Sequence, residues 1–212
     1  MMIRKLAILC SVLMHPLLMP TYLFALLFYY APIITKPISV ANANYLLLAI
    51  FLTTFLIPII YVSVSRFLVI RANYLAAISM PTRQERVLPF FFISIFYLIV
   101  TFLFVYKFNV SPVLSVVLAA TTAIIIAISI STLFLKISAY SASSCGLIGF
   151  IIGLGIKYPQ SFLVFPLVAV LILSGMVMSS RLYVGAHKPK DILIGCIVGL
   201  SISIPSVLFF VP

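Results

Sequence analysis

Among the few ionisable side chains of this sequence, Arg181, His187 and Asp191 are spaced for joint chemistry. Asp191 follows His187 by four positions, a separation that sets two side chains on one face of a helical turn. A carboxylate there accepts the proton of one imidazole nitrogen and leaves the other free to attack phosphorus. Arg181, next to Ser180, offers a planar fork of donors suited to phosphoryl oxygens. Gly185 would let the backbone between them approach a ligand closely. The only other histidine is His15, beside a proline, which reads as a packing residue or a local hydrogen-bond partner. Lys188 and Lys190 read as ordinary interfacial charges.

Two more polar segments could complete a phosphate site. In Lys136-Ile137-Ser138-Ala139-Tyr140, Ser138 and its backbone N–H could cradle a phosphate oxygen, and Lys136 adds charge. Tyr140 is either an interfacial belt aromatic or a proton donor. As a phenol with a pKa near 10, it is poorly matched to acid catalysis at neutral pH. In Arg83-Gln84-Glu85-Arg86, the two arginines are three apart and could share a helical face as phosphate clamps. Glu85 could pair with one of them, in which case the cluster is structural.

The elements that hold these residues must be membrane helices. The chain is 65% hydrophobic and 7% charged, whereas a soluble domain carries about 25% charged residues. It cannot cover a water-facing surface, so its solvent is lipid. The expected fold is all-α: a polytopic transmembrane bundle of seven spans, or six if one fails, forming a single domain over residues 1–212. The spans predicted from runs of about 20 apolar residues are Leu6–Pro32, Asn44–Ser65, Leu88–Phe108, Pro112–Leu135, Ile137–Ile156, Ser161–Ser179 and Ile192–Val211. A kink is expected at His15-Pro16. Gly149 with Gly153 and Gly195 with Gly199 have the four-residue spacing that brings helix backbones together in lipid, here read as packing within the chain. Cys10, Cys145 and Cys196 read as small packing residues.

Thirteen basic residues stand against two acids, giving a net charge of +11. In a soluble protein this balance would suggest nucleic acid. In a membrane chain, anionic headgroups or phosphorylated lipids are the partners it suits. Seven crossings place all three polar segments on one membrane face. The positive-inside rule would put that face in the cytoplasm.

The pattern Ser180-Arg181, five residues, His187, three residues, Asp191 resembles the last motif of the type 2 phosphatidic acid phosphatase (PAP2) superfamily. Ser138-Ala139-Tyr140 is similar to its second motif, with tyrosine where the family has the histidine that protonates the leaving alkoxide. The Arg83–Arg86 segment departs further, lacking the family's lysine and its Arg-Pro pair. The resemblance covers roughly residues 83–199. It implies a PAP2-like helical core in a bacterial inner (plasma) membrane and an outward-facing site, opposite to the charge rule. The implied activity is hydrolysis of a lipid phosphomonoester or polyprenyl pyrophosphate through a phosphohistidine at His187. Arg181, Lys136, Arg83, Arg86, Ser138 and Ser180 would bind phosphate, while Asp191 and Tyr140 assist. No cofactor is implied, and two carboxylates cannot furnish a two-metal site. Loss of the leaving-group acid and of the motif-one lysine leaves one alternative, a pseudoenzyme that binds lipid phosphate; a small transporter has less support, because the ionisable groups lie at helix ends and not at the bilayer midplane.

Overall fold

A computed structural model of the chain describes residues 2–36, 38–70, 84–108 and 110–212. Within them lie seven helices long and apolar enough to cross a membrane: α1 Lys5–Tyr29, α2 Ala41–Val64, α3 Glu85–Lys107, α4 Pro112–Thr132, α5 Ala139–Lys157, α6 Val164–Tyr183 and α7 Pro189–Phe210. No strand occurs among the described residues. The chain is an integral membrane helical bundle. Each span begins and ends within a few residues of its expected position, and the differences have local causes.

α5 starts at Ala139 because Ser138 caps it, its hydroxyl accepting the Ser141 N–H at 3.4 Å. α7 starts three residues earlier than hydropathy suggests. Pro189 stands in its first turn, and the Asp191 carboxylate accepts the Lys188 N–H at 3.0 Å, so a charged residue begins an otherwise apolar helix. α6 runs on to Tyr183, which places Arg181 in its last turn, where the helix dipole favours a cation. α1 breaks at His15, which caps a short 3-10 turn over Pro16–Leu18; proline there has no N–H to continue the ladder. π-helical segments at Leu52–Leu56 and Leu103–Lys107 widen α2 and α3. The fully buried Tyr97 hydroxyl donates to the Thr54 carbonyl inside the first of them at 2.8 Å.

α5 is the central helix, with 72% of its span buried inside the protein. It packs against α7 along its length, and α6 packs against both α5 and the first part of α1. Glycines set the α5–α7 contact. A Cβ on Gly195 would meet Ser141 Oγ and the Ser138 carbonyl, one on Gly149 would meet Ser203, and one on Gly153 would meet Val207. Both glycine pairs therefore act within the chain. The contacts advance in the same direction along both helices, so α5 and α7 run parallel. At their far ends, the Lys157 ammonium donates to the Val211 carbonyl. Their N-termini consequently meet on one face, the face that carries the second and third polar segments.

Candidate active site

The site is built where the starts of α5 and α7 meet the end of α6. The Ser138 N–H donates to the Asp191 carbonyl at 3.1 Å, tying the two helix starts together. Ser138 is fully buried, and this bond engages the backbone N–H that sequence reasoning offered to phosphate. Its role in the fold is to fix α5 against α7.

After Tyr183 the chain must turn back sharply. Gly185 does this with a φ of +72°, a left-handed conformation that favours glycine. The Gly185 and Ala186 N–H groups donate to the Leu182 and Arg181 carbonyls and close the end of α6. The glycine is thus a helix terminator that delivers His187 beside Arg181. His187 stands just ahead of α7, not on it, with its Nδ1 3.7 Å from Asp191 Oδ2. Both residues are buried, at 6% and 3% exposure. The carboxylate faces Nδ1 from slightly beyond hydrogen-bond length, so Nδ1 is the orienting nitrogen. Burial, followed by the positive charges of Arg86, Arg181 and Lys136, pushes the His187 imidazole down to about 4, against the smaller opposing effect of Asp191. At neutral pH His187 is an uncharged imidazole with a lone pair to give.

Those electrostatic causes also show what converges there. Arg86 from the start of α3, Lys136 ahead of α5 and Arg181 from the end of α6 all act on His187. Arg181 reaches across the site. Its Nη1 donates to Ser11 Oγ on α1 at 3.5 Å, and its guanidinium carbon lies 4.5 Å from the centre of the Tyr140 ring. Its Nε is buried with no hydrogen-bond partner, as is His187 Nδ1. A half-buried guanidinium whose Nε is buried and unspent, set among other cations, is an arrangement that an anion would complete.

Tyr140 serves as the platform on which Arg181 lies. The Ser180 hydroxyl bonds back to the Met176 carbonyl of its own helix at 2.7 Å, so the structure gives it no part in the cluster. Lys188 and Lys190 are exposed, as expected of interfacial charges. Arg83 lies outside the described residues. Sequence reasoning missed one neighbour: His15 of α1, whose ring centre lies 6.0 Å from that of Tyr140, edge to face.

Residues 138–211 match the PAP2 superfamily model. Over this segment, about a third of the chain, the protein is similar to the PAP2 superfamily. The match opens on Ser138 and takes in Tyr140, Arg181, His187 and Asp191, whereas His15, Arg86 and Lys136 precede it. No curated protein and no solved structure matches the chain. A PAP2 segment supports chemistry of the phosphatase type, and the cluster around His187 has the parts for it: a neutral imidazole, a carboxylate behind it and cations in front.

Proposed function

We propose that the protein is a metal-independent lipid phosphate phosphatase that acts on a lipid phosphomonoester or a polyprenyl pyrophosphate. One observation above all supports this reading: a buried, neutral His187, backed by Asp191, faces the charges of Arg86, Arg181 and Lys136. His187 Nε2 attacks phosphorus as the bond to the leaving oxygen breaks. The three cations hold the equatorial oxygens, where transition-state charge spreads. As the N–P bond forms, the imidazole becomes positive, and the Asp191 carboxylate, already 3.7 Å from Nδ1, stabilises it. Water then attacks the phosphohistidine, the N–P bond breaks and inorganic phosphate leaves. Tyr140 lies under Arg181 and holds the guanidinium in place, and the leaving oxygen takes its proton from water. The membrane-embedded helices suit a substrate whose phosphate sits at the headgroup level while its chain stays in the bilayer.

A second reading is favoured by Tyr140 itself. With tyrosine where the superfamily motif has histidine, the same cluster would serve a pseudoenzyme that binds lipid phosphate without turning it over, since acid catalysis is typically worth about 10²–10⁴ in rate. Purified protein incubated with phosphatidic acid and with undecaprenyl pyrophosphate separates the two. A phosphatase releases phosphate from at least one, and His187→Ala abolishes it. Well-folded wild-type protein that binds these lipids but releases nothing is the pseudoenzyme.

A further inference from the structure

His15 is the one imidazole outside the matched segment, and it stands against the residue that departs from the superfamily's second motif. Its ring lies between Phe55 of α2 and Tyr140 of α5, with both ring centres 6.0 Å away. Four residues before it on α1, Ser11 takes the Arg181 hydrogen bond. The guanidinium of Arg181, which covers the Tyr140 ring, is also close enough to act electrostatically on His15. His15 thus belongs to the same group as Tyr140 and Arg181, although it is more than a hundred residues away in sequence.

Its protonation is fixed locally. The chain after His15 is a proline with no N–H, and the Leu17 N–H donates to His15 Nδ1 at 3.3 Å. A ring nitrogen that accepts an N–H carries no proton, so the neutral imidazole carries its proton on Nε2. The ring is half-buried, set edge-on against the Phe55 and Tyr140 rings. The break in α1 therefore holds a neutral N–H donor beside the phosphate cluster.

We propose that His15 is a phosphate-site residue whose Nε2–H donates a hydrogen bond to the leaving oxygen of the bound phosphoryl group. It returns to the site, from α1, an imidazole contact that Tyr140 does not supply. No proton is transferred from it; its hydrogen bond strengthens as charge builds on the departing oxygen, and water delivers the proton. This inference rests on the phosphatase reading, and its test separates the two.

The leaving group decides it. Wild type, His15→Ala, His15→Gln and His187→Ala are compared on phenyl phosphate and on p-nitrophenyl phosphate, whose leaving oxygen needs far less help. The expected result for His15→Ala is a loss on the order of a hundredfold on phenyl phosphate, as for removal of one oxyanion donor, and a much smaller loss on the nitrophenyl ester. His15→Gln, whose amide N–H reaches a similar position, should recover much of the activity. An equal loss on both esters, or no loss, overturns the proposal. If the wild type hydrolyses neither ester nor lipid phosphate, the phosphatase reading fails by itself. Affinity for inorganic phosphate then decides: at least a tenfold weakening by His15→Ala sustains the contact, and unchanged affinity overturns it.

Discussion

Replacing Gly199 with alanine would test whether the parallel seating of α5 and α7 sets the geometry of the site. A Cβ at Gly199 would stand 2.3 Å from the Ala142 carbonyl oxygen and 2.7 Å from the Gly146 nitrogen, both backbone atoms that cannot rotate away. Ordinary contact begins near 3.4 Å, so α7 must move outward by about 1 Å. The Ser138 N–H bond to the Asp191 carbonyl, now 3.1 Å, would lengthen toward 4 Å and cease to be one. Overpacking costs about 1–3 kcal/mol and a lost hydrogen bond about 0.5–1.5 kcal/mol. Together they correspond to a drop of roughly 3–18 °C in melting temperature for a protein of this size. Because Asp191 moves with α7, turnover should fall on the order of a hundredfold, as for a misplacement of about 1 Å. The matched control is Gly175→Ala on α6, where nothing lies within 4 Å of an added Cβ. It should leave activity alone and stabilise slightly, since glycine inside a helix costs about 0.5–1 kcal/mol relative to alanine. Melting curves in detergent and phosphate release, run on both variants, give the answer. A Gly199→Ala protein as stable and active as wild type would refute the packing argument.

Three further outcomes follow from the geometry. In protein labelled at histidine and carrying His15→Gln, the single remaining imidazole signal should titrate near pH 4. Between that value and the unfolded value of about 6.5 the unfolded chain binds the extra proton, so stability should fall as pH drops through this window and be level above it; a midpoint near 6.5 would remove the electrostatic argument. Asp191→Asn keeps an oxygen to accept the Lys188 N–H but loses the charge behind His187, so the melting temperature should hold while turnover drops a hundredfold or more; a fall in both together would make Asp191 chiefly a helix cap. Tyr140→Phe keeps the ring under Arg181 and should cost less than about threefold, whereas Tyr140→Ala removes a cation–π contact worth about 0.5–2 kcal/mol and should weaken phosphate affinity by roughly three- to thirtyfold; a large loss in the phenylalanine variant would make the phenol the proton source.

The bundle was legible because lipid imposes a simple condition on the chain, about 20 apolar residues per crossing, and the sequence meets it seven times. The Arg181, His187 and Asp191 spacing was legible because the whole unit is local, a helix end, a turn and a helix start. The glycine pairs were legible for the same reason, although not that they set α5 parallel to α7. What the sequence hid was long-range or fine in scale. Nothing near His15 announces Tyr140, because their contact arises only when α1 folds over α5 and α6. Ser138 looked like a phosphate donor because nothing around it in sequence shows that its N–H is spent on Asp191 in another helix. Gly185 was expected to admit a ligand; its positive φ shows it reversing the chain after α6. The π-helical segments carry no sequence mark. Arg83 lies outside the described residues; Arg86 joins the cluster.

The nucleophile itself can be caught. Rapid quenching of the purified protein during turnover of radiolabelled phosphatidic acid or polyprenyl pyrophosphate, under alkaline conditions that preserve phosphohistidine, should yield label on the peptide containing His187. The label should be acid-labile, absent from His187→Ala and accumulated when water attack is slowed. Turnover with no label on that peptide, or label that persists in His187→Ala, would contradict a covalent role for His187 and leave the cluster as a binding site alone.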